Sequence, residues 1–143
     1  MNVYQISVFL ENRAGQLAEI TNDLAEHQVD LRAISIAETA DYGILRLIVD
    51  DTAQASQVLQ EHGYVYSMTP VIVVAVDDNI GGLSPVLTLL ADAGLDVEYM
   101  YSLFTHKAGK AYMVFRTSDE KKFLDKLSAN GITPITKEEL GLK

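Results

Sequence analysis

Cysteine and tryptophan are absent from the 143 residues, and proline occurs only three times. Without cysteine the chain has no disulfide staple, no thiolate metal ligand and no thiol nucleophile. Positive charge is scarce: 11 Lys and Arg stand against 20 Asp and Glu, a formal net charge of −9. Nucleic acid and anionic membranes are recognised through clustered cations, so neither is expected as a partner. Long hydrophobic runs are missing as well. No apolar stretch approaches the roughly 18 residues needed to span a bilayer, and the first ten residues alternate rather than forming a basic-then-apolar leader. A cytoplasmic protein is the simplest expectation. What is present is 48% hydrophobic and 22% charged residues with no low-complexity run, which predicts a folded chain of one ordinary or two small domains.

The hydrophobic periodicity divides the first half into six elements. Val3 to Leu10 alternates, a strand signal, and from Gly15 the period changes so that Leu17, Ile20 and Leu24 share one helical face. Gln28-Val29-Asp30 closes this helix. Leu31 to Thr39 is predicted as a strand with Ile34 and Ile36 inward, and Asp41-Tyr42-Gly43 supplies turn chemistry. Ile44 to Val49 is apolar on both faces except at Arg46, so both should be covered. Asp50-Asp51-Thr52 can cap a helix with Ala55, Val58 and Leu59 buried, Gly63 ends it, and Tyr64 to Met68 is a short strand. The order is β-α-β-β-α-β, a split βαβ or ferredoxin-like unit.

After Thr69-Pro70 the order restarts. An offset of 66 superposes Ile6 on Ile72, Val8 on Val74, Gly15 on Gly81, Leu17 on Leu83, Leu24 on Leu90, Asp30 on Asp96 and Gly43 on Gly109. Beyond the third strand the offset becomes 68, matching Leu59 to Leu127 and Gly63 to Gly131. The second copy is predicted to hold a helix with Leu83, Val86, Leu87 and Leu90, then strands Val97 to Thr105 and Lys110 to Arg116. Thr117 is the expected N-cap of its last helix, with Glu120 reaching back. Thr133 to Thr136 should close the sheet, and Lys137 to Leu140 should add a helical turn. The fold class is therefore α+β: two tandem ferredoxin-like βαββαβ units, residues 1–69 and 70–143, each an antiparallel four-stranded sheet with helices on one face.

Two loops carry the candidate chemistry: Glu11-Asn12-Arg13-Ala14-Gly15-Gln16-Leu17 and its counterpart Asp77-Asp78-Asn79-Ile80-Gly81-Gly82-Leu83. In each, a strand ends in polar residues and a glycine allows close backbone approach before an amphipathic helix begins. Free amides at that helix start suit a carboxylate. The residues His27, His62 and His106 lie on different elements, which argues against a metal site. The acidic pairs Asp50-Asp51, Asp77-Asp78 and Glu138-Glu139 fit capping better than acid–base catalysis. No phosphate loop, nucleophile elbow or His–acid constellation is present, so no catalytic residue, metal or cofactor is assigned. Tyr99, Tyr101 and Leu103 share one strand face and either stack on a ligand or cover sheet surface where modules meet.

The first loop, followed by Leu24-Ala25-Glu26-His27-Gln28-Val29-Asp30-Leu31, makes the chain resemble a tandem pair of ACT domains, small ligand-binding modules of amino-acid metabolism. Ala14 stands where proline is common in that family, and Asn79-Ile80-Gly81-Gly82 departs further. The resemblance implies a site for a free amino acid formed by the first strand-to-helix loop together with the start of the second strand, at an interface between two modules. Its residues would be Asn12, Arg13, Ala14, Gly15, Gln16 and Leu17 with Asp30 and Leu31, and Asp78, Asn79, Ile80, Gly81, Gly82 and Leu83 with Asp96 and Val97. Asp30 and Asp96 are open to two readings, ligand contact or local capping.

The function expected from these features is a stand-alone sensor that binds a free amino acid or related small carboxylate, without being an enzyme. The alternative is a ligand-free module that docks on a metabolic enzyme. Ile44, Ile48, Tyr99 and Tyr101 fall on the sheet faces away from the helices, so pairing within the chain and a homodimer are expected to cover them.

Overall fold

The computed structural model describes residues 2–11, 13–38 and 41–143. Among them six strands and four helices follow in the order β1 (Val3–Glu11), α1 (Gln16–Glu26), β2 (Leu31–Glu38), β3 (Tyr42–Val49), α2 (Thr52–Glu61), β4 (Val65–Asp77), α3 (Ser84–Asp92), β5 (Val97–Ser102), β6 (Lys110–Thr117) and α4 (Glu120–Ala129). The chain divides into two compact units. The N-terminal unit comprises Tyr4–Pro70 with Gly141–Lys143, and the C-terminal unit comprises Val71–Leu140 with Val3 at the chain start.

In the N-terminal unit the strand order is β2-β3-β1-β4. Antiparallel pairing sets Ile6 opposite Leu47 and Glu11 opposite Tyr42, and Leu31 opposite Val49 and Glu38 opposite Gly43. Because side chains alternate across a strand, this register puts Ile6, Val8, Leu10, Leu45, Leu47 and Val49 on one face. Ile20 and Leu24 of α1 and Ala55, Val58 and Leu59 of α2 complete the core against that face. Both faces of β3 are covered, as its apolar run requires: Ile48, which points away from the helices, is fully buried, and Ile44 is half-buried.

The C-terminal unit repeats the plan with the order β4-β6-β5. Ile72, Val74, Val86, Leu90, Phe115, Phe123 and Leu127 form its core, with the Phe115 and Phe123 rings edge-to-face at 5.7 Å. The offset pairs Ile6 and Ile72, Val8 and Val74, Leu24 and Leu90, and Leu59 and Leu127 are therefore buried in both copies, while Leu17 and Leu83 are both half-buried. Tyr99 and Tyr101 are half-buried and stack on one another at 6.4 Å.

Five local expectations need correction. The strands expected at Tyr64 to Met68 and Val71 to Val76 are one continuous strand of 13 residues, because Thr69-Pro70 tolerates extended backbone and proline is accepted where its missing N–H is not needed. Thr117 is not the N-cap of α4. It still pairs with Val97 in the ladder, so capping passes to Asp119, whose Oδ1 accepts from the Lys122 amide at 3.0 Å. Thr133 to Thr136 does not form a strand. Ile135 donates one ladder bond to the Val73 carbonyl at 2.8 Å, and then Thr136 and Glu139 cap one another and turn the chain through Lys137–Leu140. Ile36 is half-exposed rather than inward, because β2 is an edge strand. The strand expected to reach Thr39 ends at Glu38, with Thr39 itself outside the described residues. No helix among the described residues is long and apolar enough to cross a membrane.

The loop glycines act by two different mechanisms. Gly15 has φ 85° with no atom within 4 Å of where a Cβ would stand, so backbone handedness and not close approach requires glycine there. Close approach occurs instead at Gly82, where a Cβ would lie 1.8 Å from the Asp77 carbonyl oxygen. Gly15→Ala should therefore cost about 1–2 kcal/mol, while Gly82→Ala should cost distinctly more. Equal losses in urea denaturation would contradict this.

The C-terminal ends of α1 and α2 meet through histidine. His62 Nδ1 donates to the Val58 carbonyl at 2.8 Å, its Nε2 lies 3.7 Å from Asp23 Oδ1, and its ring meets His27 edge-on at 6.1 Å. The Val58 carbonyl first, and then Asp23, Glu61 and Glu26, raise its pKa above the ordinary 6.5 against a smaller opposing effect of burial. The folded state thus holds this proton more tightly than the unfolded chain. The stabilisation is fully present below about pH 6.5 and lost as the pH rises through the folded-state value. The margin of the natural chain over His62→Gln should be larger near pH 5.5 than near pH 8.5, and a margin independent of pH would refute the linkage.

Candidate functional site

The β1–α1 loop is built by a short chain of backbone bonds. The Arg13 amide donates to the Glu11 carbonyl at 2.9 Å, Gln16 to Arg13 at a long 3.5 Å, and Glu19 to Gly15 at 3.0 Å. The amides of Leu17 and Ala18 have no acceptor among the described residues, and both belong to the first turn of α1. They are the orphan donors that a helix start offers to an anion. Arg13 extends from the loop to Glu19 Oε2 at 3.1 Å and Glu11 Oε2 at 3.7 Å. Ala14 and Gly15 are exposed and Gln16 is buried, while Asn12 lies outside the described residues.

The β4–α3 loop looks equivalent in sequence and differs in its donors. Asp78 donates to Gly109, Gly82 to Asn79 and Ser84 to Gly81, all through backbone amides at 3.0–3.1 Å. Pro85 has no N–H, and α3 starts at Ser84 with Leu83 as an N-cap that supplies no side-chain bond. Of the first-turn amides, Val86 alone has no acceptor among the described residues. Ile80 projects fully into solvent. Two of the loop's amides, those of Gly82 and Ser84, close on the loop itself.

The second half of the expected site lies elsewhere. Asp30 is clamped to the end of β3: its amide donates to Asp50 Oδ1 at 2.9 Å, its carbonyl accepts from the Asp50 amide at 3.0 Å, and its carboxylate holds Arg32 at 2.9 Å. Asp96 repeats this with Ser118, at 3.1 Å through Oγ and 3.0 Å through the backbone. Leu31 and Val97 start β2 and β5 beside these clamps. The β1–α1 loop adjoins Tyr42 at the other end of β3. At ~3.3 Å per residue the eight-residue strand separates the two by about 23 Å. Within one unit, therefore, Asp30 and Leu31 do not meet the loop.

Two cavities do adjoin it. The smaller, about 220 Å³, is bordered by Glu11, Arg13, Gln16, Leu17, Ile36 and Glu38. A cation, two carboxylates and Leu17 thus border a space with an apolar wall at Ile36. The larger, about 550 Å³, also borders Gln16 and is lined by Phe9, Tyr42, Tyr64 and Val65, with Glu11 and Asp41 contributing. Burial first, and then the Glu19 and Asp23 carboxylates, push the Tyr64 phenol above its ordinary 10, so it stays protonated at neutral pH. The Gln16 side chain borders both cavities. Its residue is 9% exposed and its Oε1 has no hydrogen-bond partner. No cluster of three or more metal-ligating side chains occurs among the described residues.

Glu38, Ile36, Tyr42 and Tyr64 were not legible as neighbours of the loop. They reach it only through the strand register, Glu38 against Gly43 and Glu11 against Tyr42, and through the turn after α2. Glu11 carried the one available signal, as the acidic residue that opens the loop motif.

Comparison with known proteins places these features in context. Residues 1–141 match the family described as an ACT domain pair. Protein BT0572 from Bacteroides thetaiotaomicron has a similar structure, with TM-score 0.89 and 35% identity over 99% of this chain and 96% of that one. The ligand-free regulatory subunit of aspartate kinase from Thermus thermophilus shares the fold, with TM-score 0.63 and 15% identity over 90% of this chain and 93% of that one. The regulatory subunit of aspartate kinase from Thermus flavus does likewise, with TM-score 0.60 and 14% identity over 90% and 92%. No curated protein matches.

Proposed function

Because this chain belongs to the ACT domain pair family, whose modules are regulatory rather than catalytic, we propose that it is a cytoplasmic sensor of a free amino acid bound at the β1–α1 loop. The observation that carries this reading is the pairing of opposite charges around the 220 Å³ cavity. The Leu17 amide with Arg13 suits the ligand carboxylate, and Glu11 with Glu38 suits its ammonium. Ile36 offers apolar contact to the ligand side chain. A zwitterion meets all of these groups at once, whereas a simple anion would face two carboxylates.

The β4–α3 loop, with one open amide in the first turn of its helix against two in α1, is the weaker site. Asp30 and Leu31, remote from the loop of their own unit, would join such a site from another module. A homodimer is the arrangement proposed to supply it, and occupancy would be transmitted as different ligand affinities of two interface arrangements. Ile80, fully exposed, and Phe104, half-exposed, favour a second reading in which the C-terminal unit docks on a metabolic enzyme.

A thermal-shift screen against free amino acids tests the first reading. A ligand at about 100 times its dissociation constant should stabilise the chain by roughly 2.7 kcal/mol, several degrees for domains of this size, and the gain should vanish in Gly15→Val. A flat screen at millimolar concentrations would favour the docking module. Light scattering at micromolar protein should give twice the 15.7 kDa chain mass, and a monomer would exclude the homodimer.

A further inference from the structure

The dipeptide Asn-Gly occurs once in the chain, at Asn130-Gly131, whereas Asn2, Asn12, Asn22 and Asn79 precede Val3, Arg13, Asp23 and Ile80. A glycine after asparagine leaves its main-chain nitrogen sterically open, and that nitrogen can attack the side-chain amide carbon. Asn130 and Gly131 are both exposed, so water reaches the pair.

The fold holds this reaction back at the end of α4. Asn130 is the C-cap, with φ −103° and ψ 13°, which places the Gly131 nitrogen beside the main-chain nitrogen of Asn130 and away from its side chain. The Gly131 amide donates to the Ser128 carbonyl at 3.1 Å, and Asn130 Nδ2 donates to the Lys126 carbonyl at 2.8 Å. Ring closure therefore needs two hydrogen bonds broken and a rotation about the Asn130 Cα–C bond. All of this lies in the last turn of a helix, where local opening costs least.

The same bonds give the reaction a structural consequence. The Lys126 carbonyl is one of those a helix C-terminus leaves without an intrahelical donor. A carboxylate in place of the carboxamide removes its donor, and negative charge is disfavoured at that end of a helix. Isoaspartate also adds a methylene to the main chain. Gly131 and Ile132 then lose their register with the Ser128 and Leu127 carbonyls, to which their amides donate at 3.1 and 2.9 Å, and Ile132 packs on the core of the C-terminal unit.

We propose that Asn130 is a self-modifying site, which converts to aspartate and isoaspartate when the last turn of α4 opens and weakens that turn once converted. The Gly131 nitrogen bonds to Asn130 Cγ as the Cγ–Nδ2 bond breaks, and its proton leaves with Nδ2 as ammonia. Water then adds to either carbonyl of the cyclic imide, so the net change is one water consumed and one ammonia released. The proposal does not depend on what the β1–α1 loop binds.

Incubation of the intact chain at neutral pH, with and without urea, tests it. The tryptic peptide Leu127–Lys137 carries the site, and chromatography with mass spectrometry separates its asparaginyl, aspartyl and isoaspartyl forms against an unincubated sample. Native Asn130 should convert roughly tenfold more slowly than in the unfolded chain, as for a fraying helix end. Ala129→Gly, at an exposed helix position, should speed native conversion about fivefold through helix propensity and leave the unfolded rate unchanged. Asn130→Asp should lower the unfolding midpoint. The proposal is overturned if native Asn130 is unmodified after about a hundred half-lives of the unfolded chain, or if the native and unfolded rates agree. It also fails if Ala129→Gly leaves the native rate unchanged, or if Asn130→Asp is as stable as the natural chain.

Discussion

The register of β1 against β3 and of β3 against β2 is the constraint on which the N-terminal unit depends. Setting Glu11 beside Tyr42 and Glu38 beside Gly43 brings the ends of two strands and the start of a third to one edge of the sheet. A slip of one residue would turn Ile6, Val8 and Leu10 out of the core and move Glu38 to the opposite face. The hydrophobic core therefore holds the charged groups of the loop in place, although none of those groups is part of it. Removing apolar surface from water, at about 25 cal/mol per Å², is a far larger effect than the exposed ion pairs of Arg13, which are worth about 1 kcal/mol or less.

The two copies show how one scaffold can carry different loops. Ile6 and Ile72, Val8 and Val74, and Leu24 and Leu90 are all buried equivalents, and Gly15 and Gly81 share left-handed backbone at φ 85° and 77°. The divergence lies in hydrogen-bond donors. Gly82 admits the Asp77 carbonyl, Pro85 deletes an amide, and in the first turn of α3 the Val86 amide alone has no acceptor among the described residues, against Leu17 and Ala18 in α1. The helix consequently begins later, with 9 residues in α3 against 11 in α1. Equal core packing combined with unequal donor supply is the physical basis for treating the loops as unequal sites.

Gln16 puts an unpartnered polar group at a buried helix position. A leucine there would suit a core-facing helix position beside Ile20 better than an unsatisfied carboxamide does. The structure instead carries a polar residue that, with Leu10 and Glu11, borders both cavities. Thr117 Oγ1 and Thr105 Oγ1 are also buried and unpartnered, but neither borders these cavities.

Most of the fold was legible because its determinants are local and repeated. The alternation from Val3 to Leu10, the helical spacing of Ile20 and Leu24, and the 66-residue offset identify two ferredoxin-like copies, and the lack of cysteine and clustered cations removes whole classes of chemistry. Boundaries that depend on pairing were not legible. Thr117 has the composition of a cap but remains in a ladder, and Pro70 resembles a break but lies within a strand. The sequence also named the loop from Arg13 to Leu17 without showing that Gln16 is buried or that Asp30 sits about 23 Å away at the far end of β3. Periodicity and turn chemistry are written along the chain, whereas register, burial and the sharing of donors arise between distant segments, so only the tertiary structure decided which residues meet.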